Sequence, residues 1–143
     1  MNDFVYDIPV KVYFGKDQLC HLGEELKKYG QKVLLTYGGG SIKRNGLYDR
    51  IIEQLKEIGI EWEELSGIEP NPRIETVRKG ADLCKEKHID VLLAVGGGST
   101  IDATKWMAAG ACSEHDPWDF LKDPSIPVDN ALPVLSVLTI AAI

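Results

Sequence analysis

Apolar positions along the chain fall into two kinds of block. Val33-Leu34-Leu35-Thr36-Tyr37 and the run from Asp90 to Val95 are short and almost continuously apolar, and glycines follow each. Runs of this kind suit strands buried on both faces, as in a parallel sheet. Elsewhere apolar residues recur every three or four positions: Leu19, Leu22 and Leu26; Leu47, Ile51, Leu55 and Ile58; Ile74, Val77, Ala81 and Cys84. These spacings predict helices over about 17–29, 47–58 and 73–88, with Gly30 and Gly59 as stops. A further helix of small apolar residues is predicted from Thr100 to Cys112. Strands are predicted at Ile60–Leu65 and Val134–Thr139. The β-prone runs 4–7 and 10–14, broken by Pro9, predict an opening hairpin or edge pair. Residues 66–72 read as a loop, and 113–133, with four prolines, as irregular. Buried strands alternating with amphipathic helices define an α/β class: a Rossmann-like, mostly parallel sheet with flanking helices.

Composition narrows the partners. With 143 residues, 44% hydrophobic and 27% charged, the chain fits one globular domain spanning 1–143. A net charge of −6 and a pI near 5.0 argue against nucleic acid and anionic membrane. No apolar run approaches the ~18 residues of a membrane span. The start, Met1-Asn2-Asp3-Phe4, lacks the basic and apolar regions of a secretory signal, so a cytoplasmic location is expected. Cys20, Cys84 and Cys112 are scattered, which fits a reducing compartment better than a disulfide frame.

The candidate chemistry lies in two glycine clusters. Gly38-Gly39-Gly40-Ser41 and Gly96-Gly97-Gly98-Ser99 each follow a buried strand and precede a helix. Ligands of open parallel sheets bind outside the carboxyl ends of the strands. Glycine there lets backbone approach a phosphate, and the following helix offers free N–H groups and a partial positive charge. Ser99 can cap that helix or reach the anion. Each cluster can also be a plain tight turn; two of them on one sheet favour a ligand site. Neither matches the Gly-x-Gly-x-x-Gly or P-loop spacing.

Asp102 and Lys105 follow Ser99 at intervals of three and share one helix face, either as a solvated pair or with Asp102 turned to the cleft. Positions 36–44 hold no acid that would select a ribose 2′-hydroxyl. Ser41, Lys43 and Arg44 are candidates for a 2′-phosphate, or are simply solvated residues. Prolines on both sides of Asn71 predict an extended backbone there, with the amide free either to grip a ligand or to make a turn. His21, His88 and His115 lie on separate elements, and no metal-ligand spacing is present.

Phe14-Gly15, the 38–41 cluster, Pro70-Asn71-Pro72, Gly97-Gly98-Ser99-x-x-Asp102-x-x-Lys105 and Leu138-Thr139 together resemble the iron-containing (group III) alcohol dehydrogenases, nearest their butanol dehydrogenase branch. The resemblance implies the N-terminal nucleotide-binding domain of such an enzyme. It implies that Gly97, Gly98 and Ser99 hold the pyrophosphate and that Gly39, Gly40 and Ser41, next to Gly38, face the adenosine ribose. Asn71 would line the adenosine side, Asp102 the nicotinamide side, and Thr139, beside Leu138, the pyrophosphate or nicotinamide ribose. The implied cofactor is NADP(H) or NAD(H), with NADP(H) preferred, and the implied substrate a small alcohol or aldehyde. The family draws its Fe²⁺ or Zn²⁺ ligands from a helical domain that has no counterpart in residues 1–143. The chain is therefore expected to be a C-terminally truncated, inactive piece of the enzyme. Its Trp106–Cys112 helix and 134–139 strand, left uncovered, would favour homo-oligomers. The other reading of the same residues is a free-standing nucleotide-binding or interaction module without catalysis.

Overall fold

The computed structural model describes Val5 and residues 7–140. The elements in chain order are a 3-10 turn (Gln18–His21), α1 (Leu22–Lys27), β1 (Lys32–Tyr37), α2 (Ser41–Arg44), α3 (Leu47–Glu57), β2 (Glu61–Leu65), α4 (Ile74–Glu86), β3 (Val91–Gly96), α5 (Gly98–Ala111), α6 (Asp119–Lys122) and β4 (Val134–Leu138). The strands form one sheet in the order β2-β1-β3-β4. All pairings are parallel: Val33 is in register with Trp62 and Val91, and Leu92 with Val134.

The apolar runs become the two central strands because they have cover on both sides. Val33, Leu35 and Tyr37 of β1 and Val91, Leu93 and Val95 of β3 pack under α1 and α3, against Leu26, Ile51 and Leu55. Leu34 and Leu92 point the other way, into a layer formed with Val77 and Cys84 of α4 and Ala103 and Met107 of α5. Each such fully buried aliphatic side chain stabilises the fold by about 1.5–3 kcal/mol relative to exposure. Burial also pushes the Cys84 thiol up to about 12, so it behaves as a small hydrophobe.

The structure departs from the sequence-based expectations in several places. Among the described residues of 7–14 there is no strand: Val10 N–H donates to Ile8 C=O across a tight turn, and no ladder partner lies alongside. Phe4 and Tyr6 of the first predicted run lie outside the described residues. The helix expected over 17–29 is split. A continuous α-helix would bond Gly23 N–H to Leu19 C=O. Instead the Gln54 carboxamide of α3 takes both, accepting from Gly23 at 3.1 Å and donating to Leu19 at 2.8 Å. The 113–133 stretch contains the one-turn helix α6, held by an Asp116 carboxylate that accepts from Trp118 N–H. The Trp106–Cys112 face of α5 is not left bare. Met107, Ala108, Ala109 and Gly110 are buried, because α4 lies against them and Pro117 folds over Gly110. The 134–138 strand is the less covered element, with Leu138 58% exposed. No described helix is long and apolar enough to cross a membrane.

Candidate functional site

The strand order reverses between β1 and β3: the chain leaves β1 towards β2 on one side and leaves β3 towards β4 on the other. The loops following these strands must part there, which opens a crevice at their carboxyl ends. Gly38, Gly39, Gly40 and Ser41 follow β1, and Gly97, Gly98 and Ser99 follow β3, so both glycine clusters flank this crevice. The loop after β2 is tied to the same edge, with Gly67 N–H donating to Gly38 C=O at 2.8 Å. The segment after β4 joins it through Thr139 N–H, which donates to Gly96 C=O at 3.0 Å.

The glycines divide by what a side chain would meet. A Cβ on Gly96 would lie 2.7 Å from Thr100 Oγ1, and one on Gly97 3.1 Å from Ile140 Cγ2. Gly96 lets the first turn of α5 seat tightly on the sheet, and Gly97 lets the segment after β4 come in close. A Cβ on Gly39 or Gly98 would meet nothing within 4 Å. Their bare backbone faces open space, the form of a cradle that a phosphate or ribose can fill. α5 starts at Gly98 after an extended Gly97, and its first turn makes no side-chain cap bond, so its leading N–H groups remain available to an anion. This geometry can receive a phosphate-bearing ligand.

Other predicted residues are placed less tightly. Asp102 and Lys105 do share a helix face, 3.9 Å apart and both exposed. Leu138, Thr139 and Ser41 are exposed at the same edge, whereas Ser99 is half-buried. Asn71 is exposed too, but its backbone is left-handed, with φ 56°, and not extended. Asn tolerates that region better than other residues with a Cβ, and this outweighs the extended preference that a following proline imposes. Arg44 reaches back over the first turn, its Nη1 3.0 Å from where a Gly40 Cβ would stand.

The sequence reading missed a polar cluster beneath the 38–41 turn. Glu64 of β2 accepts from Tyr37 at 2.7 Å, from Tyr48 and from Trp62 at 3.3 Å. Lys43 Nζ sits 4.7 Å from the Tyr48 ring centre and 5.6 Å from that of Tyr37. Burial alone would raise the Glu64 carboxyl; the hydrogen bonds from Tyr48, Tyr37 and Trp62 outweigh it and hold it below its ordinary range. The bond to Glu64, then burial, push the Tyr48 phenol well up, and for Tyr37 burial leads and Glu64 adds. Lys43 is thus committed to this cluster. Its members come from four elements at no regular spacing, so periodicity carried no signal for them. Among the described residues no group of three His, Cys, Asp or Glu side chains is placed to hold a metal ion.

A parallel sheet wound in both directions from β1 and β3, with glycine turns on either side of the reversal, is a Rossmann-like α/β domain. The family model for iron-containing alcohol dehydrogenase matches residues 9–143, and the chain belongs to that family. It is 55% identical over 142 residues to NADH-dependent butanol dehydrogenase A of Clostridium acetobutylicum, covering 99% of this chain and 36% of that protein. It is 40% identical to the NADPH-dependent aldehyde reductase YqhD of Escherichia coli, again covering 99% and 36%. The crystal structure of NADH-dependent butanol dehydrogenase A from Thermotoga maritima superposes with a TM-score of 0.92 at 45% identity, over 99% of this chain and 36% of that one. The chain therefore spans about a third of the length of these relatives.

Proposed function

We propose that this chain is the dinucleotide-binding part of a metal-dependent alcohol dehydrogenase that interconverts a small alcohol and its aldehyde, with NADP(H) bound in preference to NAD(H). The carrying observation is the pair of glycine turns on adjacent strands at the reversal of strand order, with open space in front of Gly39 and Gly98. Gly97, Gly98 and Ser99 at the head of α5 would hold the pyrophosphate. Gly38 to Ser41 would face the adenosine ribose, Asn71 the adenosine side, Asp102 the nicotinamide side, and Leu138 and Thr139 the far wall. The cofactor, when bound, supplies or accepts the hydride. A Fe²⁺ or Zn²⁺ ion would polarise the substrate oxygen. The described residues lack a ligand group for it, so these 143 residues by themselves are expected to turn over no alcohol.

The preference for NADP(H) rests on the acid-free turn and on Arg44, whose guanidinium lies over Gly40 with no acidic partner among the described residues. A preference for NADH is the competing reading, favoured by the names of the Clostridium and Thermotoga relatives. Calorimetric titration with NADPH, NADH and ATP decides. Tighter NADPH binding supports the proposal, and tighter NADH binding reverses the cofactor choice. A strong ATP preference, or no dinucleotide binding, replaces the enzyme reading with a free-standing nucleotide or interaction module.

A second copy of the chain is the partner we expect besides the cofactor. Val10, Val12 and Phe14 are 65%, 74% and 96% exposed, while the alternate residues Lys11 and Tyr13 bond Glu25 of α1. One side of this segment is thus anchored and the other presents an apolar stripe.

A further inference from the structure

Three buried polar side chains stand out from the apolar interior: Thr36 and Thr104 are fully buried and Thr100 is 6% exposed. Thr36 lies in β1, two residues before Gly38. Thr100 lies in the first turn of α5, and Thr104 one turn further on. The Thr104 hydroxyl donates to Thr100 C=O at 2.7 Å. Its proton is thereby used, so the Thr36 hydroxyl, 2.6 Å away, donates to Thr104 Oγ1, with Leu93 C=O a longer alternative at 3.4 Å. A directed chain of hydrogen bonds therefore runs from β1 through Thr104 to the first turn of α5.

A hydroxyl costs free energy to bury, and valine would fill the same space without it. For packing alone the Thr36–Thr104 pair is a poor choice. Its distinctive effect is directional. It fixes the height and rotation of the leading turn of α5 relative to the strand that carries the other glycine turn. From the β3 side, Thr100 packs so close to Gly96 that a Cβ there would lie 2.7 Å from its Oγ1.

We propose that Thr36 and Thr104 are positioning residues for the cofactor. They set the distance between the 38–41 turn and the N–H groups of Gly98 and Ser99, so that adenosine and pyrophosphate are held together. This rests on the dinucleotide reading above. Hydrogen bonds to a pyrophosphate weaken steeply with small misplacements, so a clamp far from the ligand is felt in affinity.

The test uses T36V, T104V, T104S and the T36V/T104V pair, with NMR titration of NADPH and of adenosine 2′-monophosphate, which lacks the pyrophosphate. Replacing both hydroxyls removes the clamp and leaves neither unpaired, so the double variant is expected to melt within about 4 °C of the parent. Its NADPH affinity is expected to fall at least fivefold, with that for adenosine 2′-monophosphate unchanged. T104V alone should lose both melting temperature and NADPH affinity, and T104S should recover both. A double variant that binds NADPH as the parent does, or that loses both ligands equally, would overturn the proposal. Failure of the parent chain to bind any dinucleotide would instead remove the functional reading, and this inference with it.

Discussion

Gly80 of α4 and Met107 of α5 meet with no room between them: a Cβ on Gly80 would lie 2.3 Å from Met107 Sδ and 2.5 Å from its Cγ. Met107 is fully buried, so it cannot swing into solvent to make way. Gly80→Ala is expected to destabilise the chain by about 1–3 kcal/mol, with the helix-propensity gain of alanine offsetting part of the clash. Met107→Ala alone should cost about 2–5 kcal/mol through its cavity. In the double variant the new methyl occupies part of that cavity, so the loss should be smaller than the two single losses combined. Urea unfolding midpoints of the four chains check this; simple additivity would show that the helices move apart instead.

Arg78 and Asp116 form a two-pronged pair, 2.7 Å and 3.1 Å, between α4 and the loop before α6. The Arg78 guanidinium, followed by the Trp118 N–H, holds the Asp116 carboxyl below its usual range. Both side chains are more than a third exposed, so a double-mutant cycle with R78A and D116A should return no more than about 1 kcal/mol of coupling. Asp116 also accepts from Trp118 N–H just before α6, and D116A should therefore destabilise more than R78A.

Glu25 should make the anchoring of residues 7–15 depend on acid. Its carboxylate accepts from Lys28, Tyr13 and Lys11, in that order of effect, and is held down at about 2. A carboxyl lowered in the folded state contributes stability above its unfolded value and loses it as pH falls through the folded one. Amide exchange in residues 10–14, taken relative to the intrinsic rate at each pH, is therefore expected to quicken between about pH 4.5 and pH 2. In Glu25→Gln it should be faster throughout, with no step in that window; an unchanged step would assign the titration to another group.

Cofactor choice should respond to one residue in the first turn. A Cβ on Gly39 meets nothing, and Gly39 does not use a positive φ, so Gly39→Asp fits without strain. A carboxylate there can pair with a ribose 2′-hydroxyl and repels a 2′-phosphate. The ratio of NADPH to NADH affinity is expected to fall at least tenfold, roughly 1.4 kcal/mol. An unmoved ratio in a calorimetric titration would place the adenosine ribose elsewhere.

Self-association should be lost through the exposed apolar stripe. Val12→Lys charges its centre without touching the Glu25 bonds of Lys11 and Tyr13. Sedimentation is expected to show the parent as a dimer or larger and V12K as a monomer. Equal behaviour of the two would move the contact to another surface, the β4 edge foremost.

The central strands were legible because Val33–Tyr37 and Val91–Val95 are apolar on both faces, and only a covered parallel strand needs that. The helices over 47–57 and 74–86 were legible from their spacing and from the glycine or loop that ends them. The 10–14 run differs because β-prone residues report a willingness to pair, while pairing needs a partner strand. At Asn71 the extended preference imposed by the following proline yields to the tolerance of Asn for left-handed backbone. The split at residues 18–23 depends on Gln54, and the Glu64 cluster on residues from four elements. Thr36 read as one more member of an apolar strand. Its hydroxyl matters only because Thr104 is folded against it.

The strand order has a consequence for the chain as it is made. β1 pairs with β2 and β3, and among the described residues it has no hairpin partner. The first glycine turn emerges from a ribosome well ahead of the second. At roughly 5–20 residues per second, β1 waits for seconds with its inner edge unpaired until β3 arrives. The crevice is not an early pocket that later residues decorate; it comes into being when Val91 to Gly96 close against Val33 to Tyr37. A nascent chain stalled short of Gly96 would carry the first glycine turn without the crevice, while leaving the apolar strand Val33 to Tyr37 uncovered on its β3 side.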